Sequence, residues 1–176
     1  MKDLGKQSLD DFLDSVADAE PAPGGGSSAG FTAALAAALV EMAARIGSAD
    51  EAAEQASALR EQALRLAEEE LTSYGPVLEA RTAADRTTAL DAASEPPAQV
   101  AETAADVAEL GIEVAGSSSP AVRGDALTGV VLAEAAASAA ARLVEINVGS
   151  GPVFERAREA EQRALQARES ATGPSD

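Results

Sequence analysis

Apolar positions recur every three or four residues along almost the whole chain, the spacing of one helix face rather than the alternation of a strand. Leu9, Phe12, Leu13 and Val16 form the first stripe. Ser8 before them, with Asp10 and Asp11, reads as a capped start to a helix running to about Asp18. Over 27–46 the pattern changes in kind. That segment is apolar nearly all round, which predicts a buried central helix about 30 Å long with Gly47 as its carboxyl cap.

Ser48-Ala49-Asp50-Glu51 has the form of a capping box and opens the third helix. Within it Leu59, Ala63, Leu66, Glu70, Tyr74 and Val77 keep near-helical spacing, and Pro76 predicts a kink. A short helix over 87–93 ends at Glu95-Pro96-Pro97, a fifth covers 98–115, and a sixth, again strongly apolar, covers 123–148. Gly149-Ser150-Gly151-Pro152 breaks the chain before a charged helix over 154–169. The pattern predicts an all-α fold: an antiparallel helical bundle with two long apolar central helices. One domain spans 1–170, followed by a polar tail at 171–176.

Composition sharpens this picture. Alanine is about a quarter of the 176 residues, aromatics are 2% and Trp is absent, so the core is built from Ala, Leu and Val. Small side chains suit helices packed at short distance, and Ala has the highest helix propensity. Buried contact with a second copy would help a core so poor in large side chains, so a homodimer is expected. The net charge of −17 repels phosphate backbones and anionic lipid, arguing against nucleic-acid and membrane partners. The longest uncharged apolar run, 27–40, is shorter than the ~20 residues that cross a bilayer. Lys2 and Lys6 are followed by Asp10 and Asp11 rather than an apolar stretch, so no signal peptide is expected and a cytoplasmic protein is.

Cys and His are both absent. That removes thiol nucleophiles, thiolate metal sites and the usual near-neutral proton carrier, leaving carboxylates, Tyr74, water or a perturbed Lys. No metal is expected. The most unusual stretch is Pro21-Ala22-Pro23-Gly24-Gly25-Gly26-Ser27-Ser28. Prolines stiffen its approach, and glycines open backbone angles closed to other residues. A helix starting there presents unpaired N–H groups to an anion or carbonyl oxygen; a tight turn for close helix packing is the alternative. Asp125 suits a helix start as a cap or as a functional carboxylate. Asn147 shares its face to within roughly 40° but lies roughly 33 Å further along the helix, so one site could use both only through a partner chain. Glu134, Ser138, Arg142 and Glu145 read as a solvated polar strip, Glu68-Glu69-Glu70 as a charged surface run, and Tyr74 as a core ring with a wet tip or a lid.

With these pieces placed, the chain resembles the cyclodeaminase/cyclohydrolase family, which includes methenyltetrahydrofolate cyclohydrolases and the cyclodeaminase domain of formiminotransferase-cyclodeaminase. Ser8-Leu9, Phe12-Leu13 and Pro21 through Ser27 are similar to the family's amino-terminal signature. Pro97 falls at its Val-Pro, and Asp125, Glu134 and Ile146-Asn147 keep the spacing of a second signature. The resemblance implies a helical homodimer that binds a tetrahydrofolate, with no other cofactor, and opens or closes the ring at the N5–N10 bridge. Such a reaction hydrolyses 5,10-methenyltetrahydrofolate or deaminates 5-formiminotetrahydrofolate. By that resemblance Asp125 and Glu70 are the catalytic carboxylates, Glu70 standing where the family usually has Asp. Pro23, Gly24, Gly25, Gly26, Ser27, Tyr74, Glu134 and Asn147 contact substrate. Leu143 replaces a usual Asn, and the connection from Tyr74 to Pro97 is shorter than the family's. These departures keep open a non-folate cyclase, hydrolase or lyase of a specialised pathway acting on another cyclic imine or amidine. A non-catalytic helical dimer binding a ligand or partner protein stays open as a third function.

Overall fold

The computed structural model describes residues 6–20 and 22–172. Among these the chain forms α1 (Leu9–Ala17), α2 (Gly25–Ile46), α3 (Asp50–Ser73), α4 (Gly75–Glu79), α5 (Ala83–Ala93), α6 (Glu95–Ser117), α7 (Pro120–Asn147) and α8 (Pro152–Thr172), with no strand. Pro21 of the glycine-rich stretch and residues 173–176 of the expected tail lie outside the described residues.

The five long helices form the bundle. Consecutive long helices run antiparallel, as cross-contacts show: Ser27 and Glu41 of α2 meet Ala67 and Arg60 of α3, and Ser138 and Glu134 of α7 meet Glu161 and Arg168 of α8. Both α6 and α8 oppose α7, so they run parallel to each other and are laced by matching seven-residue steps. Arg156 bonds Glu95 and Glu102, and Arg163 bonds Asp106 and Glu109.

The core follows the composition in its small side chains, but of the described leucines only Leu66 and Leu110 are buried. It is almost entirely Ala and Val, and Val40, Val77, Val100, Val107, Val130 and Val144 are among its largest fully buried side chains. Close approach depends on glycines inside helices. A Cβ at Gly30 would stand 2.9 Å from Ala67 of α3, and one at Gly129 would stand 2.9 Å from Val40 and 3.0 Å from the Ala36 carbonyl. At Gly111 a Cβ would press the same Val40, at 3.2 Å, so Val40 of α2 nests where α6 and α7 both lack a side chain. Glu41, the acidic interruption of α2, is buried but bonded by both Arg45 and Arg60.

Several expected boundaries move, each for a local reason. Ser48 has φ 58° and caps nothing; Ala49 is the N-cap of α3, without a side-chain bond. The kink at Pro76 is a complete break, with Tyr74 joining α3 to the short α4. Prolines do not precede α6 and α7 but occupy their first turns, where a missing N–H costs nothing, so both helices start earlier than expected. Thr82 caps α5 by accepting from Asp85 N, extending it four residues upstream of the expected start at 87. In α1 only Phe12 is buried, stacked on Phe31 with ring centroids 4.8 Å apart, while Leu9 and Leu13 stay exposed. By length and composition α2 and α7 could each cross a membrane, because they continue past the charges that bound their apolar runs. Here they form the centre of the bundle. One face of the pair is uncovered, exposing Leu35, Met42 and Ile46 of α2 and Val131 and Ile146 of α7.

Candidate active site

Where α2 begins and α7 ends, the bundle opens into a cavity of about 320 Å³. Its walls come from the glycine loop and first turn of α2, the last turn of α3 with α4, the α5–α6 junction, and the carboxyl end of α7. Antiparallel packing of α2 against both α3 and α7 dictates this meeting. The start of α2 must lie beside the ends of its two neighbours, so residues near 25, 70 and 147 converge.

The glycines act here through space rather than unusual angles. None of Gly24, Gly25 and Gly26 has positive φ, so the expected backbone freedom is not what this loop uses. Gly24 is an extended N-cap and the next two already belong to α2. A Cβ at Gly26 would overlap the carboxyl group of Glu70, and one at Gly25 would touch Leu143 at 3.7 Å. Gly26 is thus a bare floor on which Glu70 lies. No side chain caps α2, and its first intrahelical bond runs from Ser28 N to the Gly24 carbonyl at 3.0 Å. The N–H groups of Gly25, Gly26 and Ser27 precede that ladder, at the positive end of the helix dipole.

Glu70 is the chemical centre of the pocket. Its Oε1 is buried without a hydrogen-bond partner, and burial pushes the carboxyl up to about 7. An orphaned buried carboxylate is costly, and a carboxyl held near neutrality exchanges protons in both directions. The chain has no histidine to do so. Tyr74 follows one turn later and is 42% exposed at the wall, and Asn147 brings an amide from the last residue of α7.

Of the residues singled out in the sequence, the pocket gathers Gly24, Gly25, Gly26, Ser27, Glu70, Tyr74 and Asn147. The Ser27 hydroxyl faces away from it, donating to the Ala67 carbonyl at 2.9 Å, so Ser27 offers the pocket only its backbone. Pro23 is buried behind the loop and is not part of the wall. Asp125 and Glu134 stand apart from it. Asp125 is half-buried in the first two turns of α7, 22 positions before Asn147 and thus roughly 33 Å along the axis. Glu134 sits between α7 and α8, 3.9 Å from Arg168. Leu71, Ser73, Leu78 and Ala93 also line the cavity but carry no local signal, because the α3–α4 break and the α5–α6 junction bring them to the wall. Among the described residues no cluster of His, Cys, Asp and Glu could hold a metal ion.

A family model described as formiminotransferase-cyclodeaminase matches residues 8–166 of this chain. No curated protein sequence gives a significant match. Among solved structures, a formiminotetrahydrofolate cyclodeaminase from Thermotoga maritima superimposes with a TM-score of 0.89 at 22% sequence identity, covering 96% of this chain and 95% of that one. At that identity the likeness is one of fold.

Proposed function

This chain belongs to the formiminotransferase-cyclodeaminase family, and from that premise we propose that it acts on the one-carbon bridge of a tetrahydrofolate. Its reaction is hydrolysis of 5,10-methenyltetrahydrofolate or loss of ammonia from 5-formiminotetrahydrofolate. The observation that carries this reading is Glu70: a carboxyl held at about 7, unpartnered, in a pocket that brings no other acid or base except Tyr74.

Both reactions turn on one carbon between two nitrogens and need a group that takes a proton and returns it. In hydrolysis, ionised Glu70 accepts a proton from the water whose oxygen bonds the bridge carbon. It then gives that proton to the nitrogen that leaves when the carbon–nitrogen bond breaks, and the proton remaining on the oxygen passes to solvent as the formyl carbonyl forms. In deamination the same carboxylate takes the N10 proton as N10 bonds the formimino carbon, and the departing nitrogen leaves as ammonia after gaining it. In each case the substrate carries amidinium-like positive charge, and a desolvated carboxylate stabilises it more than water would. The free N–H groups at the start of α2 suit a carbonyl oxygen of the ring system, and Asn147 and Tyr74 supply further polar contacts. No other cofactor and no metal enters the proposal.

A homodimer belongs to the same proposal, supported by the uncovered apolar faces of α2 and α7. Glu134 and Pro23 enter only as packing residues. A ligand in this pocket lies out of reach of Asp125 of the same chain, so proton transfer is assigned to Glu70. Incubation with 5,10-methenyltetrahydrofolate and with 5-formiminotetrahydrofolate tests the reading. Turnover of one above background is expected, falling by about 100-fold or more in Glu70→Gln. No turnover of either would sink it.

A further inference from the structure

A tetrahydrofolate bridged as a methenyl or formimino derivative has two ends of opposite charge: a ring system that is cationic and a glutamate tail that is anionic. The described residues lining the pocket include no lysine or arginine. Within two positions of a lining residue the chain instead carries Glu20, Glu68, Glu69, Glu79 and Asp91, while Glu95 and Glu145 at the same distance are ion-paired with Arg156 and Arg142. One basic residue, Arg142, falls within the same distance, and it is ion-paired with Glu145. The positive end of α2 does not compensate, because the Glu70 carboxyl lies directly on Gly26 there. Around all of this the chain carries a net charge of −17.

Size points the same way. A cavity of about 320 Å³ is at the small end of ligand pockets, which span ~300–1,000 Å³. It seats a compact ring system and leaves a long tail outside, against the surface of a strongly acidic chain. Repulsion there acts within about one Debye length, ~10 Å at 0.1 M salt, and fades as salt is added.

Resting on the folate reading, we propose that this site selects the cationic ring and discriminates against polyglutamylated tails, so that its substrates are folates bearing a single glutamate. The ring's charge is attracted to Glu70, while each added glutamate brings like charge to a pocket whose described lining holds no cation to receive it.

The test compares KM for 5,10-methenyltetrahydrofolate, or for 5-formiminotetrahydrofolate if only that is turned over, carrying one and five glutamates, at low and at high ionic strength. At low ionic strength the pentaglutamate KM is expected to be about threefold or more above the monoglutamate value, with the gap closing as salt rises. Glu79→Lys, a change at an exposed position outside the lining, is expected to narrow the gap at low salt. A pentaglutamate KM equal to or below that of the monoglutamate overturns the proposal while leaving the folate reading intact. Turnover of neither form contradicts the folate reading itself, and the proposal falls with it.

Discussion

Glu68, Glu69 and Glu70 are indistinguishable as letters and read together as a solvated charged run, yet the third turns inward over Gly26. That position was legible only through its resemblance to a family signature, because periodicity does not say which acid in a run faces a neighbouring helix. Burial raises the Glu70 carboxyl from 4.5 to about 7, and the sign of its effect on stability follows. Below 4.5 the group is neutral in both states and burial of its charge costs nothing. As pH rises from there through 7 the unfolded chain ionises first, so stability falls and the loss is complete above 7. Glu70→Gln, neutral throughout, is expected to exceed the parent above pH 7 by ~1–2 kcal/mol in urea unfolding, allowing for the part of the side chain that meets the open cavity, and to match it in acid. Equal stabilities at both pH values would mean that the carboxyl is not desolvated. Gly26→Ala is expected to displace the carboxyl from its seat. Turnover should drop by about tenfold or more at unchanged helical circular dichroism. The acidic limb of the pH profile should move down toward the ordinary carboxylate range, a shift that mere loosening of α2 would not produce.

At the scale of helices, the number and order of the long elements were readable from apolar spacing, whereas their ends were not. Ser48 followed by Asp50 and Glu51 has the letters of a capping box, but the reversal after Gly47 places Ser48 at φ 58°, where its hydroxyl caps nothing. Pro96, Pro97 and Pro120 look like breaks and instead sit within first turns. Close packing was legible as alanine content, but the three-way contact at Val40 was not, since Gly111 and Gly129 become partners only once α6 and α7 lie against α2. Gly129→Ala is expected to destabilise by about 1–3 kcal/mol through overpacking. In Gly129→Ala/Val40→Ala the two costs are expected to add to less than their sum, because the second change makes room for the first. Strict additivity in thermal or urea melts would remove Val40 from this account.

At the scale of the molecule, the pocket gathers residues near 25, 70, 95 and 147 because the first, last and junction turns of six elements meet at one end of the bundle. No pattern local to any one of them announces the convergence, and the same geometry sets Asp125 at the far end of α7. The uncovered faces of α2 and α7 bear on assembly: Val131→Glu, introducing charge at a 47% exposed position, is expected to shift sedimentation from a dimer to a monomer. An unchanged sedimenting species would place the interface elsewhere. In the proposed reaction one buried carboxyl, seated on a glycine, performs the proton transfers that a chain without histidine needs. The pH dependence of turnover of the active folate substrate by the parent and by Glu70→Gln tests it most directly. A limb near 7 is expected in the parent and, in the variant, loss of that limb with a rate lower by about 100-fold or more; an unaltered profile and rate in Glu70→Gln would contradict this role for Glu70.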